Sequence, residues 1–303
     1  MTKISVCITT YKRAIQLDQT LQSLAAQTRM PDELIISDDC SPDETAAVVE
    51  RWRKEFPDLR YNRNPTNLKM PGNLNAAIGL ARFEYIANLH DADTFDPHLL
   101  EEWEKALDSY PSAGFVFCGI AGWPVASESE NGVILHDVAP LTNGRQFYER
   151  YFRHRYSSIV WGTVMARRDA YERLLPFDAA FGFISDVDMW MRMCMDYDVA
   201  YVRKPLIVLE HETSYERKLG QFNWNWLNIM RLMQQKNLTR FYSSQPKILQ
   251  REMNRHRWLT QQVYARRLLG RLYWRDTAGL KLGLRSCRNL DWPLKALGWL
   301  VND

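Results

Sequence analysis

Hydrophobic positions follow two different periods along the first third of the chain. Apolar side chains occupy alternate positions over residues 4–8 and recur at helical spacing over 17–24. The apolar run 34–36 is typical of a strand that is buried on both faces of a parallel sheet. The same patterns predict strands over 59–61, 85–89 and 113–118 and helices over 74–81 and 99–107. This order predicts an α/β fold with a mostly parallel, doubly wound sheet and helices on both of its faces.

Start signals accompany two of the predicted helices. Ser41 and Glu44 form a Ser-x-x-Glu capping box, with Pro42 at the first helical position. Asp96-Pro97 predicts the start of a further helix.

The pattern weakens in the middle of the chain. Residues 121–157 are rich in turn formers and charges without a clear period, and we interpret them as a long variable excursion. A strand over 159–166 and a helix from Asp169 follow, and the chain is mainly helical by composition from about Phe222 onward.

Charge divides the chain into two parts. Residues 1–216 carry 22 Lys and Arg against 32 Asp and Glu, a net −10, whereas 217–303 carry 17 against 4, a net +13. The second part also holds six of the eleven tryptophans. We therefore predict a first domain over 1–215 and a basic, Trp-rich helical extension over 216–303.

Cysteine usage and hydropathy bear on the compartment. The five cysteines are odd in number and scattered, which favours reduced thiols over a disulfide framework. The sequence contains no run that approaches the roughly 20 apolar residues of a membrane span, and its first residues lack the apolar core of a signal peptide. These features predict a cytoplasmic protein that is at most peripheral to a membrane.

Polar side chains follow three of the predicted strands at the point where each strand ends. Thr9, Thr10 and Tyr11 follow the first strand, the acids at 38–39 follow the second, and those at 91 and 93 follow the strand over 85–89. Because carboxyl ends of parallel strands meet at one edge of a sheet, these clusters are expected to form one site. Two carboxylates one residue apart suit a hard divalent cation that completes its shell with phosphate oxygens.

Several segments resemble the inverting glycosyltransferases of family 2, which have a GT-A-type fold. Residues 6–13, Val-Cys-Ile-Thr-Thr-Tyr-Lys-Arg, resemble the family's opening strand, and 36–43 resemble its second-strand motif, with cysteine where glycine is usual. Residues 73–81 are similar to its asparagine-and-alanine helix, and 85–93 to its strand that ends in metal-binding acids. The resemblance spans about residues 3–215, with the motifs in the family's order.

The resemblance implies a donor site for a nucleotide-sugar. It assigns the nucleotide to Thr9, Thr10, Tyr11, Arg13, Asp38, Asp39, Lys69 and Asp91. Tyr11 would stack on the base, and Asp39 would accept a hydrogen bond from a uracil or thymine imide, which favours UDP or dTDP. Lys69 or Arg13 would neutralise phosphate charge, although either is equally well a surface cation.

The resemblance also implies a divalent metal, Mn²⁺ or Mg²⁺. Asp91 and Asp93 would ligate it, and His211 lies where many relatives carry a histidine near the diphosphate or metal. A divalent ion is needed because a departing nucleotide diphosphate develops negative charge on its phosphate oxygens.

The general base is assigned to the segment 183–190. The family's usual Glu-Asp pair reads Ser185-Asp186 here, so the resemblance assigns the base to Asp186, with Asp188 as the reserve candidate. The structural alternative for either residue is an acid that the helix dipole stabilises at the N-terminus of a helix.

The basic extension has three open roles. Arginines interleave with aromatic and aliphatic residues over 251–274, which suits a helix on an anionic membrane surface. The same composition suits docking on the acidic first domain or an oligomer contact. We find no nucleic-acid motif beside the charge and predict no nucleic-acid partner.

The sequence thus predicts an enzyme that transfers a sugar from a nucleotide-sugar to a hydroxyl of a saccharide or lipid-linked saccharide. By analogy with the family, its role would be in bacterial surface-polysaccharide synthesis. Two alternatives remain at this point. A nucleotidyltransferase would show a Gly-rich basic loop after the first strand, which Thr10-Tyr11-Lys12-Arg13 lacks. A binding or membrane-recruited protein without catalysis would be consistent with the altered acidic pair at Ser185.

Overall fold

In the computed structural model of the protein, residues 2–122, 132–209, 223–290 and Leu294 are described. The chain forms two compact units. The first consists of Met1–Phe152 and Ser158–His211, and the second consists of Arg153–Ser157 and Glu212–Asp303.

One ten-stranded sheet organises the first unit, with its main strands in the order β3-β2-β1-β4-β9-β6-β10-β5. Two short strands flank this path, because β7 pairs with β6 and β8 pairs with β10. The strands are β1 Ile4–Thr10, β2 Glu33–Asp38, β3 Leu59–Arg63, β4 Tyr85–His90, β5 Asp93–Phe95, β6 Ala113–Gly122, β7 Val133–Ile134, β8 Leu141–Thr142, β9 Val164–Arg167 and β10 Asp198–Leu209.

The predicted α/β fold is confirmed, and the sheet is mixed. Strands β3, β2, β1 and β4 are parallel, whereas β9 is antiparallel to both β4 and β6. In the parallel half, Thr10 pairs with Asp38 and Thr9 pairs with His90. The ends of three strands therefore lie side by side, and we call this the carboxyl edge of the sheet.

Seven helices of the described residues belong to the first unit: α1 Ala14–Ala25, α2 Thr45–Arg51, α3 Lys69–Gly79, α4 Leu99–Ser109, α5 Gly144–Phe147, α6 Arg168–Leu174 and α7 Ser185–Asp196. Together with the sheet they enclose one apolar core, in which Leu17, Leu21 and Trp103 are fully buried. The helical spacing over 17–24 thus marks the buried face of α1.

The predicted capping box is wrong. Helix α2 begins at Thr45, with Glu44 at its N-cap position. The Ser41 hydroxyl instead accepts the backbone N–H of Lys12 (3.0 Å), which ties the end of β2 to the end of β1. A tertiary hydrogen bond therefore uses the side chain that a local signal assigned to the helix.

One predicted strand differs from the structure, and one strand is missing from the prediction. The strand expected over 159–166 is restricted to Val164–Arg167, and β10 was not predicted. Strand β10 carries the exposed pair Arg203-Lys204 followed by Pro205, where its register with β6 shifts. Proline and a bulge interrupt the alternation that reveals a strand in a sequence.

The second unit contains three described helices: α8 Asn223–Tyr242, α9 Pro246–Tyr273 and α10 Thr277–Ser286. Its apolar cluster includes Trp224, Leu227, Tyr264 and Leu268. The Trp224 indole N–H donates to the carbonyl of Gly279 (3.0 Å), so the tryptophan fixes α10 against α8. Across the described residues, the helices are all too short or too polar to cross a membrane.

Candidate active site at the carboxyl edge of the sheet

The end of β1 presents an aromatic ring and a guanidinium at this edge. Tyr11 is 40% exposed, and the Lys12 ammonium lies 5.2 Å from the centre of its ring. Arg13 Nη1 donates to Asp91 Oδ1 (2.9 Å), which links the segment after β1 to the segment after β4. Thr10 is buried, and Thr9 is partly buried. An exposed ring on a fixed strand end is suited to stacking on a planar base.

Asp38 is occupied by contacts within the fold. Its Oδ1 accepts the backbone N–H of Ser41 (2.9 Å), and its Oδ2 accepts the Tyr61 hydroxyl (2.7 Å). The Arg63 guanidinium also lies 3.5 Å from Oδ2. These contacts let the buried Asp38 carboxylate shape the edge of the sheet, and its contact with a nucleotide stays a prediction.

Asp39 organises the loop that precedes α3. Its Oδ1 accepts from Asn64 Nδ2 (3.0 Å) and from the backbone N–H of Leu68 (2.7 Å), and its Oδ2 accepts the backbone N–H of Lys69 (2.8 Å). A carboxylate oxygen can accept two hydrogen bonds, so Oδ2 keeps capacity for one more. The Lys69 side chain is exposed at the first residue of α3.

The two acids of the Asp-Ala-Asp segment lie in and after the turn between β4 and β5, and both are buried. Burial raises the pKa of Asp91, and the Arg13 guanidinium offsets this effect only in part. Asp91 Oδ2 has no hydrogen-bond partner among the described residues. Asp93 Oδ2 lies 3.4 Å from the Thr163 hydroxyl and 3.5 Å from His90 Nδ1.

These acids fit a divalent cation only together with other ligands. Within the described ranges, no group of three or more His, Cys, Asp or Glu side chains is arranged to hold a metal ion. The carboxylates of Asp91 and Asp93 are nevertheless hard donors of the kind that bind Mg²⁺ or Mn²⁺ together with phosphate oxygens. One of their oxygens, Asp91 Oδ2, is buried and has no partner among the described residues. His211 lies outside the described residues.

His90 connects the acidic turn to the predicted base. A Cβ atom added to Gly162 would overlap with His90 Nε2 and lie 2.8 Å from Asp186 Oδ2, so the imidazole and the carboxylate meet at this glycine. Burial by itself lowers the pKa of His90, but the carboxylates of Asp93, Asp186 and Asp91 outweigh it and raise the pKa above its ordinary value. The charges of three acids thus act on one imidazole, and Asp93 lies 3.5 Å from it.

Asp186 lies in the first turn of α7 and is partly buried. Its Oδ1 accepts the backbone N–H of Val187 (2.8 Å). Burial raises the pKa of Asp186 to about 6, although His90 and the Val187 N–H act in the opposite direction. A carboxylate with a pKa near the working pH is suited to accept a proton from a hydroxyl.

Asp188, the reserve candidate, takes part in an ion pair. It is fully buried, and its Oδ2 lies 2.9 Å from Arg192 Nε one helical turn further on. The Arg192 guanidinium also donates to the carbonyl of Pro176 (3.1 Å). These contacts give Asp188 a structural partner within α7, and its reserve role as base stays a prediction.

Sequence reasoning missed Gly162 and did not include His90 among the site residues. Gly162 lies outside every predicted motif, and its carbonyl accepts from Asn88 Nδ2 (2.7 Å) on β4. Its position beside the site depends on β9 inserting antiparallel next to β4. No local pattern indicates this pairing, although a glycine inside a predicted strand, here 159–166, is a weak signal for close approach.

Comparison with known proteins agrees with this arrangement. The family model described as "Glycosyl transferase family 2" matches residues 5–175, which include β1, β2, β4 and the acidic turn. The chain belongs to glycosyltransferase family 2. The enzymes of this family transfer sugars. The match confirms the resemblance that the strand-end motifs indicate.

Two curated relatives carry glycosyltransferase names. The putative glycosyltransferase EpsE of Bacillus subtilis is 25% identical over 193 residues, which cover 63% of this chain and 66% of that protein. The abequosyltransferase RfbV of Salmonella typhimurium is 27% identical over 207 residues, which cover 66% of this chain and 56% of that protein. The chain thus matches two thirds or less of the length of these relatives.

Two solved structures share the fold. S. aureus TarS 1-349 in complex with UDP-GlcNAc has a TM-score of 0.66 at 18% identity, over 97% of this chain and 83% of that chain. The mannosyltransferase PcManGT from Pyrobaculum calidifontis, in complex with GDP-Man and Mn²⁺, has a TM-score of 0.59 at 18% identity, over 99% and 84%. These similarities establish a GT-A-type fold for the chain.

Proposed function

We propose that this chain transfers a sugar from a nucleotide-sugar to a hydroxyl acceptor and inverts the anomeric configuration. The observation that carries this proposal is the grouping of Asp91, Asp93 and Asp186 around His90 at the carboxyl edge. It combines acids suited to a bound diphosphate with one carboxylate suited to proton abstraction. Family membership favours sugar transfer over nucleotidyl transfer.

In this proposal the nucleotide lies over the ends of β1 and β2. Tyr11 stacks on the base, and Asp39 Oδ2 accepts from the base imide with its remaining capacity. An imide N–H is present in uracil and thymine, so UDP or dTDP is the favoured carrier. Arg13 and Lys69 supply positive charge next to the phosphates.

Asp91 and Asp93 would hold a divalent cation, Mn²⁺ or Mg²⁺, that stabilises the negative charge of the departing diphosphate. Mn²⁺ is present with the sugar nucleotide in the mannosyltransferase structure of the same fold. His211 is a further candidate ligand. The buried, raised-pKa state of Asp91 without a cation fits this role, because nearby positive charge would return it to the ionised form.

Asp186 is the proposed general base. The acceptor oxygen forms a bond to the anomeric carbon while the bond from that carbon to the diphosphate oxygen breaks, and Asp186 takes the proton of the acceptor hydroxyl. A single displacement of this kind inverts the anomeric centre. Ser185, which replaces the family's usual glutamate, has a buried hydroxyl without a hydrogen-bond partner among the described residues.

The acceptor is proposed to be a saccharide or a lipid-linked saccharide of a bacterial surface polysaccharide, assembled at the cytoplasmic side of the membrane. The support is analogy with the family, in which the Salmonella relative carries the name of a sugar transferase. The domain boundary near residue 215, the membrane contact and an oligomeric state all remain proposals, and the membrane contact is argued below.

Calorimetric titration of UDP, dTDP and GDP, each with Mn²⁺ and with a chelator, tests the donor site. We expect metal-dependent binding of one nucleotide by the wild type and loss of this binding in Asp93→Ala. The matched control is Glu55→Ala, because Glu55 is an exposed carboxylate of the same unit. If no nucleotide binds under any metal condition, or if the control loses binding as well, the proposed donor site is wrong.

The stereochemistry is tested on the product. With the donor identified by titration, proton NMR of the transferred sugar reports the anomeric configuration directly. We expect the configuration opposite to that of the donor. Retention would contradict a single displacement with Asp186 as base.

A further inference from the structure

The exposed side of α9 has an unusual composition. Its exposed residues include one row at three- or four-residue spacing, apart from one longer interval between Trp258 and Arg266. This row consists of Arg251, Arg255, Trp258, Arg266, Leu269 and Tyr273. Residues at this spacing lie on one side of a helix. We call this set the basic-aromatic face.

The buried side of the same helix is polar. Glu252, His256, Thr260 and Tyr264 are almost fully buried at four-residue spacing, with Leu268 completing the row. A helix that only packs on its own unit normally buries its apolar side chains and exposes its polar ones. Here Trp258 is 60% exposed and Leu269 is 63% exposed, so apolar surface is presented to the outside.

The face continues into the turn after α9. Leu272, Tyr273 and Trp274 are 55%, 78% and 78% exposed, and Leu282 on α10 is exposed as well. Arg275 is exposed in the same turn. Scattered single apolar residues are ordinary on a protein surface, but a contiguous group of large apolar side chains marks a binding surface.

The charge of this region has one sign. Residues 246–290 carry 11 Lys and Arg against two acids, Glu252 and Asp276, a net +9. Glu252 is buried, accepts from His154 Nε2 (2.9 Å) and lies 3.1 Å from Arg251 Nη2, and Asp276 is paired with Arg271 (2.6 Å). Both acids are therefore paired, and arginine sets the charge of the face.

We infer that the basic-aromatic face binds an anionic phospholipid surface. Arginines contact the headgroup phosphates, while Trp258, Tyr273 and Trp274 lie at headgroup level and Leu269 and Leu272 enter the acyl boundary. This inference goes beyond the proposed transfer reaction and does not depend on it.

Two other occupants fit the face less well. A two-fold contact with a second copy would bring arginines of one face against arginines of the other without an acid between them, which is costly. A nucleic acid would use the arginines and aromatic rings, but the exposed leucines would gain nothing from a phosphate backbone. An anionic lipid surface uses all three kinds of side chain.

Vesicle flotation of the full chain provides the test. We expect binding to vesicles of phosphatidylcholine with phosphatidylglycerol, binding at least about tenfold weaker to phosphatidylcholine alone, and weakening by added salt. Equal binding to both vesicle types, or binding to neither, would overturn the inference.

Matched double variants locate the contact. R255Q/R266Q removes two exposed charges of the face, and K54Q/R203Q removes two exposed charges of the first unit as the control. We expect R255Q/R266Q to weaken binding to anionic vesicles roughly tenfold or more, and K54Q/R203Q to leave it within about twofold. W258A/Y273A should weaken binding without reducing its salt dependence.

Three results would contradict the location or the partner. The first is a control variant that loses as much binding as R255Q/R266Q. The second is a dimer in analytical ultracentrifugation that R255Q/R266Q dissociates while vesicle binding is absent, which would assign the face to a second copy. The third is tighter binding to an RNA oligonucleotide than to anionic vesicles, since that would assign it to nucleic acid.

Discussion

Buried polar side chains are arranged in opposite ways in the two units of this chain. In the first unit a group of them, which includes Asp38, Asp91 and Asp93, lies at the carboxyl edge of the sheet. In the second unit they lie between the helices, where Gln234, Glu252 and His256 are almost completely buried.

Glu252 and Gln234 of the second unit have close partners, whereas Asp91 Oδ2 at the carboxyl edge has none among the described residues. In the second unit, His154 donates its backbone N–H to Gln234 Oε1 (3.1 Å), and its ring contacts Glu252 (2.9 Å). Gln234 Nε2 in turn donates to the carbonyl of Arg155 (2.9 Å). A paired network of this kind fixes how helices pack.

The acids show the same contrast. Burial acts to raise the pKa of Glu252, but the contact with His154 and the charge of Arg153 outweigh it, and the pKa lies below its ordinary value. At the carboxyl edge, burial prevails, and the pKa values of Asp91 and Asp186 are raised. Paired carboxylates serve the fold, whereas carboxylates with incomplete partners are available for a ligand or a proton.

The largest expected effect separates two acids of one helix. Asp186→Asn should lower kcat by roughly 10²–10⁴-fold, because the acceptor hydroxyl loses its proton acceptor, while nucleotide binding is retained. In the wild type, kcat should fall as the pH drops below about 6, since Asp186 then becomes protonated. Steady-state kinetics with the identified donor measure both.

Asp188→Asn is the matched control, because Asp188 is paired with Arg192 on the same helix. It should lower the free energy of unfolding by about 3 kcal/mol, as expected when a buried pair is broken, and change kcat only severalfold. A large loss of kcat in Asp188→Asn with little loss in Asp186→Asn would exchange the two assignments.

The next effect concerns the pH stability of the second unit. Burial lowers the pKa of His256 from 6.5 to about 4, and the neighbouring His154 adds to this. The unfolded chain therefore binds more protons than the folded chain between these values. The free energy of unfolding is therefore highest above pH 6.5 and falls by up to about 3 kcal/mol as the pH drops toward 4.

Thermal unfolding of the full chain across this pH range tests the prediction, with His256→Gln as the comparison. The variant should show a smaller fall in stability between pH 6.5 and 4, although His154, whose pKa is also lowered, keeps part of the slope. An identical slope in wild type and variant would remove His256 as the cause.

A smaller effect is expected from Gly162→Ala. The added Cβ would overlap with His90 Nε2 and lie 2.8 Å from Asp186 Oδ2, so the imidazole and the base would be displaced. We expect kcat/KM to fall roughly 10–100-fold, as for a misplacement of about 1 Å. Gly79→Ala is the control, because its Cβ would meet no atom within 4 Å. Equal effects of both changes would argue against close packing at Gly162.

The smallest expected effect concerns backbone strain at the carboxyl edge. Cys40 has φ = 65°, in the left-handed region that favours glycine. Cys40→Gly should raise the free energy of unfolding by about 0.5–1 kcal/mol, since relief of strain exceeds the added entropy of the unfolded chain. Cys40→Ala keeps the Cβ and should give no gain, which chemical denaturation would reveal.

Much of the first unit follows from the sequence alone. The apolar alternation over residues 4–8 and the run 34–36 predicted β1 and β2, because burial of a strand depends on its own side chains. The sequence also predicts that the clusters at Thr9–Tyr11, Asp38–Asp39 and Asp91–Asp93 lie at one edge, because parallel strands in one sheet bring their carboxyl ends together.

Tertiary structure decided the rest. The insertion of β9 between β4 and β6 brings Gly162 beside His90, and the pairing of β9 with β4 joins residues more than 70 positions apart. The choice between Asp186 and Asp188 depends on which side of α7 is covered, and α9 exposes arginine and tryptophan because its partners accept Glu252 and His256. A sequence encodes local periods directly, but which faces meet is settled only when the whole chain packs.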